Sequence, residues 1–318
     1  DGQTCLYAFP ADRVLPGVAR ILHLRRTARF LNALPLQEGW RARGSRSRAR
    51  LLRYKPERRA VFHLDLVLTD DAGSEQPRSL AARALPPEIA SRVGRARRAS
   101  VERSPAPIGP SLVAIEERTG VLFEEWLDAE VSAPDAFDHA PEAGEILARL
   151  HSLPLDEPAQ SDADPFVDLL PLFAVDPTLA AQTGRLRAPR AAAARCWIHG
   201  DLHPDQVLRG SDGAPPRLLD LDSLGPGTPA ADLATWTADH LAADPSLDLA
   251  DVARPLLDGY ARGGGLPPTS GDLAARTSVE LVRRAAAGLR RLERGSIDRA
   301  RVLLERSLDL ASPRRVRS

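Results

Sequence analysis

The sequence predicts an α+β fold in two lobes: a small N-terminal lobe with a five-stranded antiparallel sheet plus one helix, then a larger, mainly helical C-terminal lobe. Three observations carry this. Apolar-rich strand runs fill residues 49–127, helical stripes dominate after residue 127, and the charge changes sign between the two parts. Residues 1–120 hold 22 basic and 12 acidic side chains, whereas residues 121–318 hold 21 and 31. The formal net charge of zero therefore hides a basic part and an acidic part, suited to different ligands.

The strands come first. Residues 49–55 and 60–68 flank Pro56-Glu57-Arg58-Arg59, which reads as a hairpin. Asp70-Asp71-Ala72-Gly73 is turn chemistry, and residues 79–85 read as a third strand. Pro86-Pro87 opens a helix to about Val101. Residues 111–117 and 121–127, split by Thr119-Gly120, make a second hairpin. Apolar positions 143, 146, 147 and 150 then mark a helix over 141–151, residues 154–165 read as a loop, and 196–222 are strand-like. Helical patterns follow at about 230–243, 248–262, 270–293 and 298–310. The lobes are drawn at 1–125 and 126–318, with residues 1–48 given no role.

Composition excludes several classes. No apolar run approaches the roughly 18–20 residues of a membrane span, so no membrane partner is expected. No basic start followed by an apolar stretch marks a signal peptide, and Cys5 and Cys196 form neither a disulfide framework nor a zinc pair. A reducing, cytoplasmic setting is the expectation. The arginines of 41–59 lack interleaved aromatics beyond Trp40 and Tyr54, so no nucleic-acid partner is expected.

Chemistry concentrates in residues 197–208, Trp197-Ile198-His199-Gly200-Asp201-Leu202-His203-Pro204-Asp205-Gln206-Val207-Leu208, and in Leu218-Leu219-Asp220-Leu221-Asp222. A strand end delivers Asp201 into a loop beside small Gly200, and the amide of Gln206 follows five residues on. A strand over 218–222 would present Asp220 and Asp222 on one face. A carboxylate-and-amide cup of oxygen donors suits Mg2+, not zinc or copper.

His-Gly-Asp-x-x-x-x-Gln, then Leu-Asp-Leu-Asp, then Pro229-Ala230-Ala231-Asp232-Leu233-Ala234, resembles the aminoglycoside phosphotransferase family, small-molecule kinases with a bilobal protein-kinase-like fold. The resemblance runs from about residue 49 to 265. It implies that Asp201 positions or deprotonates the acceptor hydroxyl, that Gln206 and Asp220 hold Mg2+, and that Asp232 stabilises the loop from behind, with His199 and Asp222 in support. It implies that ATP binds between the lobes against a hinge at Phe123–Leu127, including Glu124 and Trp126.

Two departures from the pattern stand out. Gln206 replaces the family's asparagine, one methylene longer. On the third strand, Arg83 stands where kinases hold the α- and β-phosphates with lysine, and Glu88 is the nearest helix glutamate to pair with it. The first hairpin turn has no glycine, so phosphate contact there would come through charge, from Lys55, Arg58 or Arg59. The resulting expectation is an ATP- and Mg2+-dependent phosphotransferase acting on a hydroxyl of a small acceptor. A nucleotide-binding pseudokinase acting as scaffold or regulator is the alternative. Eight acidic residues between Glu124 and Glu145, with five more over 156–168 and no Lys or Arg in either stretch, favour a cationic acceptor, an amino sugar or amino alcohol.

Overall fold

In the computed structural model, residues 9–34, 36–127, 139–155, 166, 168–186, 195–208 and 215–312 are described, and the chain divides into two units, 1–129 and 130–318. The first unit begins with two short helices that sequence patterning did not mark, α1 (Pro16–Leu22) and α2 (Leu24–Leu31). The sheet follows: β1 (Arg41–Ala42), β2 (Arg48–Lys55), β3 (Arg59–Thr69) and β4 (Glu75–Ala84), then helix α3 (Pro87–Ala99), then β5 (Leu112–Glu116) and β6 (Val121–Glu125). All pairings are antiparallel, in the order β1-β3-β4-β6-β5, with β2 also on β3. The five strands expected from sequence are β2 to β6, and two-residue β1 extends one edge.

Period-two alternation decides which face is buried against what. On β3, Phe62, Leu64, Leu66 and Leu68 are buried and cluster with Leu15, Val18, Ile21 and Leu31 of the N-terminal segment. Residues 1–48 therefore supply the helices that cover one sheet face. The other face takes α3, whose Ala90 and Val93 pack on Leu85, Leu122 and Ile115.

The second unit contains α4 (Ala140–His151), α5 (Leu170–Phe173), α6 (Pro177–Thr183), β7 (Cys196–Ile198), β8 (Val207–Leu208), β9 (Arg217–Leu218), β10 (Gly225–Gly227), α7 (Pro229–Ala243), α8 (Leu249–Arg262), α9 (Ser270–Arg290) and α10 (Ser296–Ala311). Its core joins Phe173, Leu241, Val282 and Leu304. One expectation needs correction. Strand β9 stops at Leu218, Asp220 turns left-handed at φ 55, and Leu221–Ser223 is a 3-10 turn, so Asp220 and Asp222 do not share a strand face. Aspartate tolerates this backbone because its short polar side chain bonds locally.

No helix among the described residues is long and apolar enough to cross a membrane. Cys196 is buried in β7, and burial pushes its thiol up to about 12, which removes it as a nucleophile.

Candidate functional site

The turn carrying Asp201 is shaped by its backbone before its side chains. Strand β7 ends at Ile198, and Gly200 follows at φ +82, where a Cβ would lie 2.6 Å from the Ser223 carbonyl oxygen. Only glycine fits there. Behind the turn, Asp232 in the first turn of α7 is fully buried. Its Oδ2 accepts the His199 N–H at 2.7 Å and its Oδ1 accepts the Gly200 N–H at 2.8 Å. His151 Nε2 lies 3.1 Å from Oδ2, and the other ring nitrogen is 2.9 Å from the Tyr260 hydroxyl. Burial alone would raise the Asp232 carboxyl, but the His151 bond, neighbouring imidazoles and the Gly200 N–H hold it below the usual carboxylate range. The His199 ring donates through Nε2 to the Leu219 carbonyl at 2.7 Å, which ties this turn to the segment leading into Asp220.

Asp201 itself is exposed. His203 Nε2 stands 3.3 Å from Asp201 Oδ1, while Nδ1 stands 2.6 Å from Asp239 Oδ2. Arg284 Nε donates to Asp239 Oδ1 at 3.0 Å and its Nη2 to the Thr235 carbonyl at 2.8 Å. Hydrogen bonds to Asp201 and Asp239 raise His203 to about 10, so the ring is an imidazolium at neutral pH. A cavity of about 580 Å³ opens beside Asp201, lined among others by His203, Asp239, Glu280 and Arg284. Burial raises the Glu280 carboxyl.

Gln206 and Asp220 flank the β8–β9 ladder, where Val207 faces Leu218 and the Leu219 N–H donates to the Gln206 carbonyl at 2.8 Å. The Gln206 side chain is buried, and its Oε1 accepts the His203 N–H at 2.8 Å. The longer amide thus caps its own 3-10 turn, Pro204–Gln206.

In the first unit, Arg83 on β4 and Glu124 on β6 lie on the sheet face that carries α3. Arg83 Nη2 donates to Glu124 Oε1 at 3.2 Å, and fully buried Arg97 of α3 donates to the same oxygen. Arg97 also reaches Glu102 Oε1 at 2.9 Å and the Pro110 carbonyl. The carboxylate against Arg83 therefore comes from β6. Glu88, the helix partner the sequence suggested, is exposed in the first turn of α3, where its charge suits the helix N-terminus. Lys55 and Arg58 lie at the β2–β3 turn, whose Arg58 N–H donates to the Lys55 carbonyl at 3.0 Å. Asp12 pins that turn, accepting the Glu57 N–H at 2.8 Å and the Tyr54 hydroxyl at 2.9 Å. Trp126 packs against His63 with ring centroids 4.0 Å apart and the ring planes tilted by 37°.

Residues 66–269 match the model of the family described as "Phosphotransferase enzyme family". The chain is a member of that family. Solved structures agree on the fold of this phosphotransferase. It is similar to an ethanolamine kinase of Plasmodium vivax at 10% identity, with 83% of each chain covered and a TM-score of 0.58. It is also similar to a macrolide 2'-phosphotransferase type I, at 18% identity over 88% of this chain and 97% of that one, TM-score 0.53. For the aminoglycoside phosphotransferase APH(4)-Ia the identity is 13%, over 85% and 96%, with a TM-score of 0.57. No curated protein matches the chain.

Gln206 and Asp220 carry the hard oxygen donors that could hold the magnesium this family implies. Asp220 would supply a carboxylate and Gln206 an amide oxygen with a second lone pair beside the one His203 occupies. Among the described residues no group of three or more His, Cys, Asp or Glu side chains forms a metal cage.

Sequence reading misses Arg97, Asp239 and Arg284 in these networks, and it takes His203 and His151 as structural rather than catalytic. Arg97 left a signal, because it extends the buried stripe Ala90, Val93 and Gly94 of α3, where a lone charge demands a partner. Asp239 and Arg284 left none, since no spacing links α7 to α9.

Proposed function

We propose that the protein is an ATP-dependent small-molecule kinase that transfers the γ-phosphate of ATP to a hydroxyl of a small acceptor. The observation that carries this reading is Asp201, an exposed carboxylate on a rigidly hydrogen-bonded turn at the mouth of a 580 Å³ cavity. An acceptor seated there has its hydroxyl within reach of Asp201, which orients it and takes its proton as the oxygen attacks. His203 keeps the Asp201 carboxylate aimed, and Asp239 with Arg284 keeps His203 in place. Acceleration comes mainly from positioning.

Arg83, oriented by Glu124, is assigned to the ATP phosphates, with Lys55 and Arg58 as further cations from the hairpin turn. The Glu124 side chain is committed to Arg83 and Arg97, so the base of ATP meets the backbone after β6 and the Trp126 ring. Gln206 and Asp220 would hold Mg2+, which when bound neutralises charge on the phosphates.

The favoured acceptors are amino sugars and amino alcohols. Of the acidic stretches that suggested a cationic acceptor, Asp128, Glu130, Asp135, Asp138, Asp156, Glu157, Asp162 and Asp164 lie outside the described residues. Glu124 faces arginines, and Glu145 pairs with Arg262. In the cavity lining Asp239, Glu280 and Glu293 are each paired with an arginine, so the preference for an amine rests on the acidic stretches of the sequence. The test is ADP release with Mg2+ across a panel of amine-bearing and matched neutral alcohols and sugars. Acceptor-dependent release, strongest for amines and weakened by salt, is expected. ATP binding with no acceptor-dependent release across the panel would favour the scaffold reading.

A further inference from the structure

Phosphoryl transfer leaves the arginines of residues 25–43 without a task. Helix α2 presents Arg25 and Arg29 four residues apart, both exposed, and β1 and its following turn add Arg41 and Arg43. These four side chains line one concavity of about 660 Å³. Its walls are fixed by side-chain chemistry. Asn32 clamps β1 to α2 twice, accepting the Ala42 N–H at 2.6 Å and donating to the Ala42 carbonyl at 3.0 Å. Arg43 Nε donates to Thr69 Oγ1 at 2.7 Å. Gly44 lets the turn approach α2 so closely that a Cβ would sit 2.4 Å from the Leu24 carbonyl oxygen.

Among the described residues nothing compensates the charge in this concavity: no carboxylate lines it, and Arg25, Arg29 and Arg41 form no ion pair. In the cavity beside Asp201, by contrast, Arg283, Arg284 and Arg291 each face a carboxylate. Like charges at i and i+4 destabilise a helix, so the arrangement costs stability until an anion offsets it. Guanidinium forks match phosphate oxygens, and several converging forks match more than one phosphate group. The volume lies within the range of small-molecule sites, and among the described residues no aromatic platform for stacked bases lines it.

We propose that the concavity between α2 and β1 binds a small anion carrying two or more phosphate groups, at a site separate from the catalytic turn. The test is calorimetric titration of inorganic tripolyphosphate into the full chain, into Arg29→Gln/Arg41→Gln and into Asp220→Ala. Both substituted arginines are exposed, and circular dichroism melting checks that the double variant stays folded. The full chain and Asp220→Ala are expected to bind, and the double variant to lose at least about tenfold in affinity while keeping its Mg2+-ATP affinity. Three results would overturn the site: no binding to the full chain, parental affinity in the double variant, or tighter binding of a single-stranded RNA oligonucleotide than of tripolyphosphate. The last would assign the arginines to a nucleic-acid backbone.

Discussion

Glu124 in the first unit of the phosphotransferase and Asp232 in the second are both buried carboxylates amid charged groups, and the two are held by different means. Glu124 in the first unit faces two guanidiniums, one from a strand and one from a helix. Asp232 in the second unit faces two backbone N–H groups and an imidazole. Glu124 thereby joins secondary-structure elements through side-chain charge, whereas Asp232 fixes the path of the backbone that presents Asp201. The first is a device for cohesion that also orients Arg83. The second is a device for shape, and its failure should be felt in catalysis before stability.

The largest expected effect tests the first half of that contrast. Glu124→Gln removes the carboxylate that Arg83 and Arg97 share and leaves Arg97 with Glu102, and breaking a buried pair in this way costs about 3–5 kcal/mol. Urea unfolding should show a loss of that order; a loss under about 1 kcal/mol would mean that water or other carboxylates already satisfy the two arginines.

Next in size is Asp232→Asn. The amide keeps one acceptor but turns its NH2 toward a donor, leaving one buried N–H unmet at a cost of about 1–3 kcal/mol. Phosphoryl transfer, measured well below the melting temperature, should fall further than that loss explains. Full activity in a destabilised variant would reduce Asp232 to a packing role.

Much of the frame was legible because burial imposes periods: the alternation of β3 and the stripe of α4 fix their extents within a residue or two. Helices α1 and α2 escaped because seven and eight residues span too few turns to show a stripe among arginines. The alternation Leu218–Asp222 read as strand, yet one left-handed aspartate ended it. In the site, the motif itself marked Asp201, Gln206, Asp220 and Asp232, since they lie close in sequence. The brace of His203, Asp239 and Arg284 is assembled from three distant elements and leaves no pattern.

A pH series sharpens the contrast at smaller amplitude. Hydrogen bonds to Asp201 and Asp239 raise His203 to about 10, above the roughly 6.5 of a free imidazole, so its contribution is full below pH 6.5 and is lost as pH rises through 10. Asp232 and Asp239 are held below the usual carboxylate range, so their contributions are present above about pH 4 and lost as pH falls further. Stability measured by urea unfolding between pH 6.5 and 10 should fall less steeply in His203→Gln than in the parent. Parallel curves would show that His203 carries no such charge.

Gln206→Asn should give the smallest effect. It removes the bond to the His203 N–H, worth about 0.5–1.5 kcal/mol, while retaining an amide oxygen, so activity should hold or rise. A dead variant would mean that the longer amide is what the site requires.

The most direct test of the central claim is Asp201→Asn, which keeps the shape of an exposed side chain and removes its basicity. Acceptor-dependent ADP release should drop by about 10²–10⁴-fold, the range for loss of a positioned proton acceptor, with ATP affinity in the presence of Mg2+ unchanged. Turnover within about tenfold of the parent, at equal ATP affinity, would contradict the assignment of Asp201 as the group that receives the acceptor's proton.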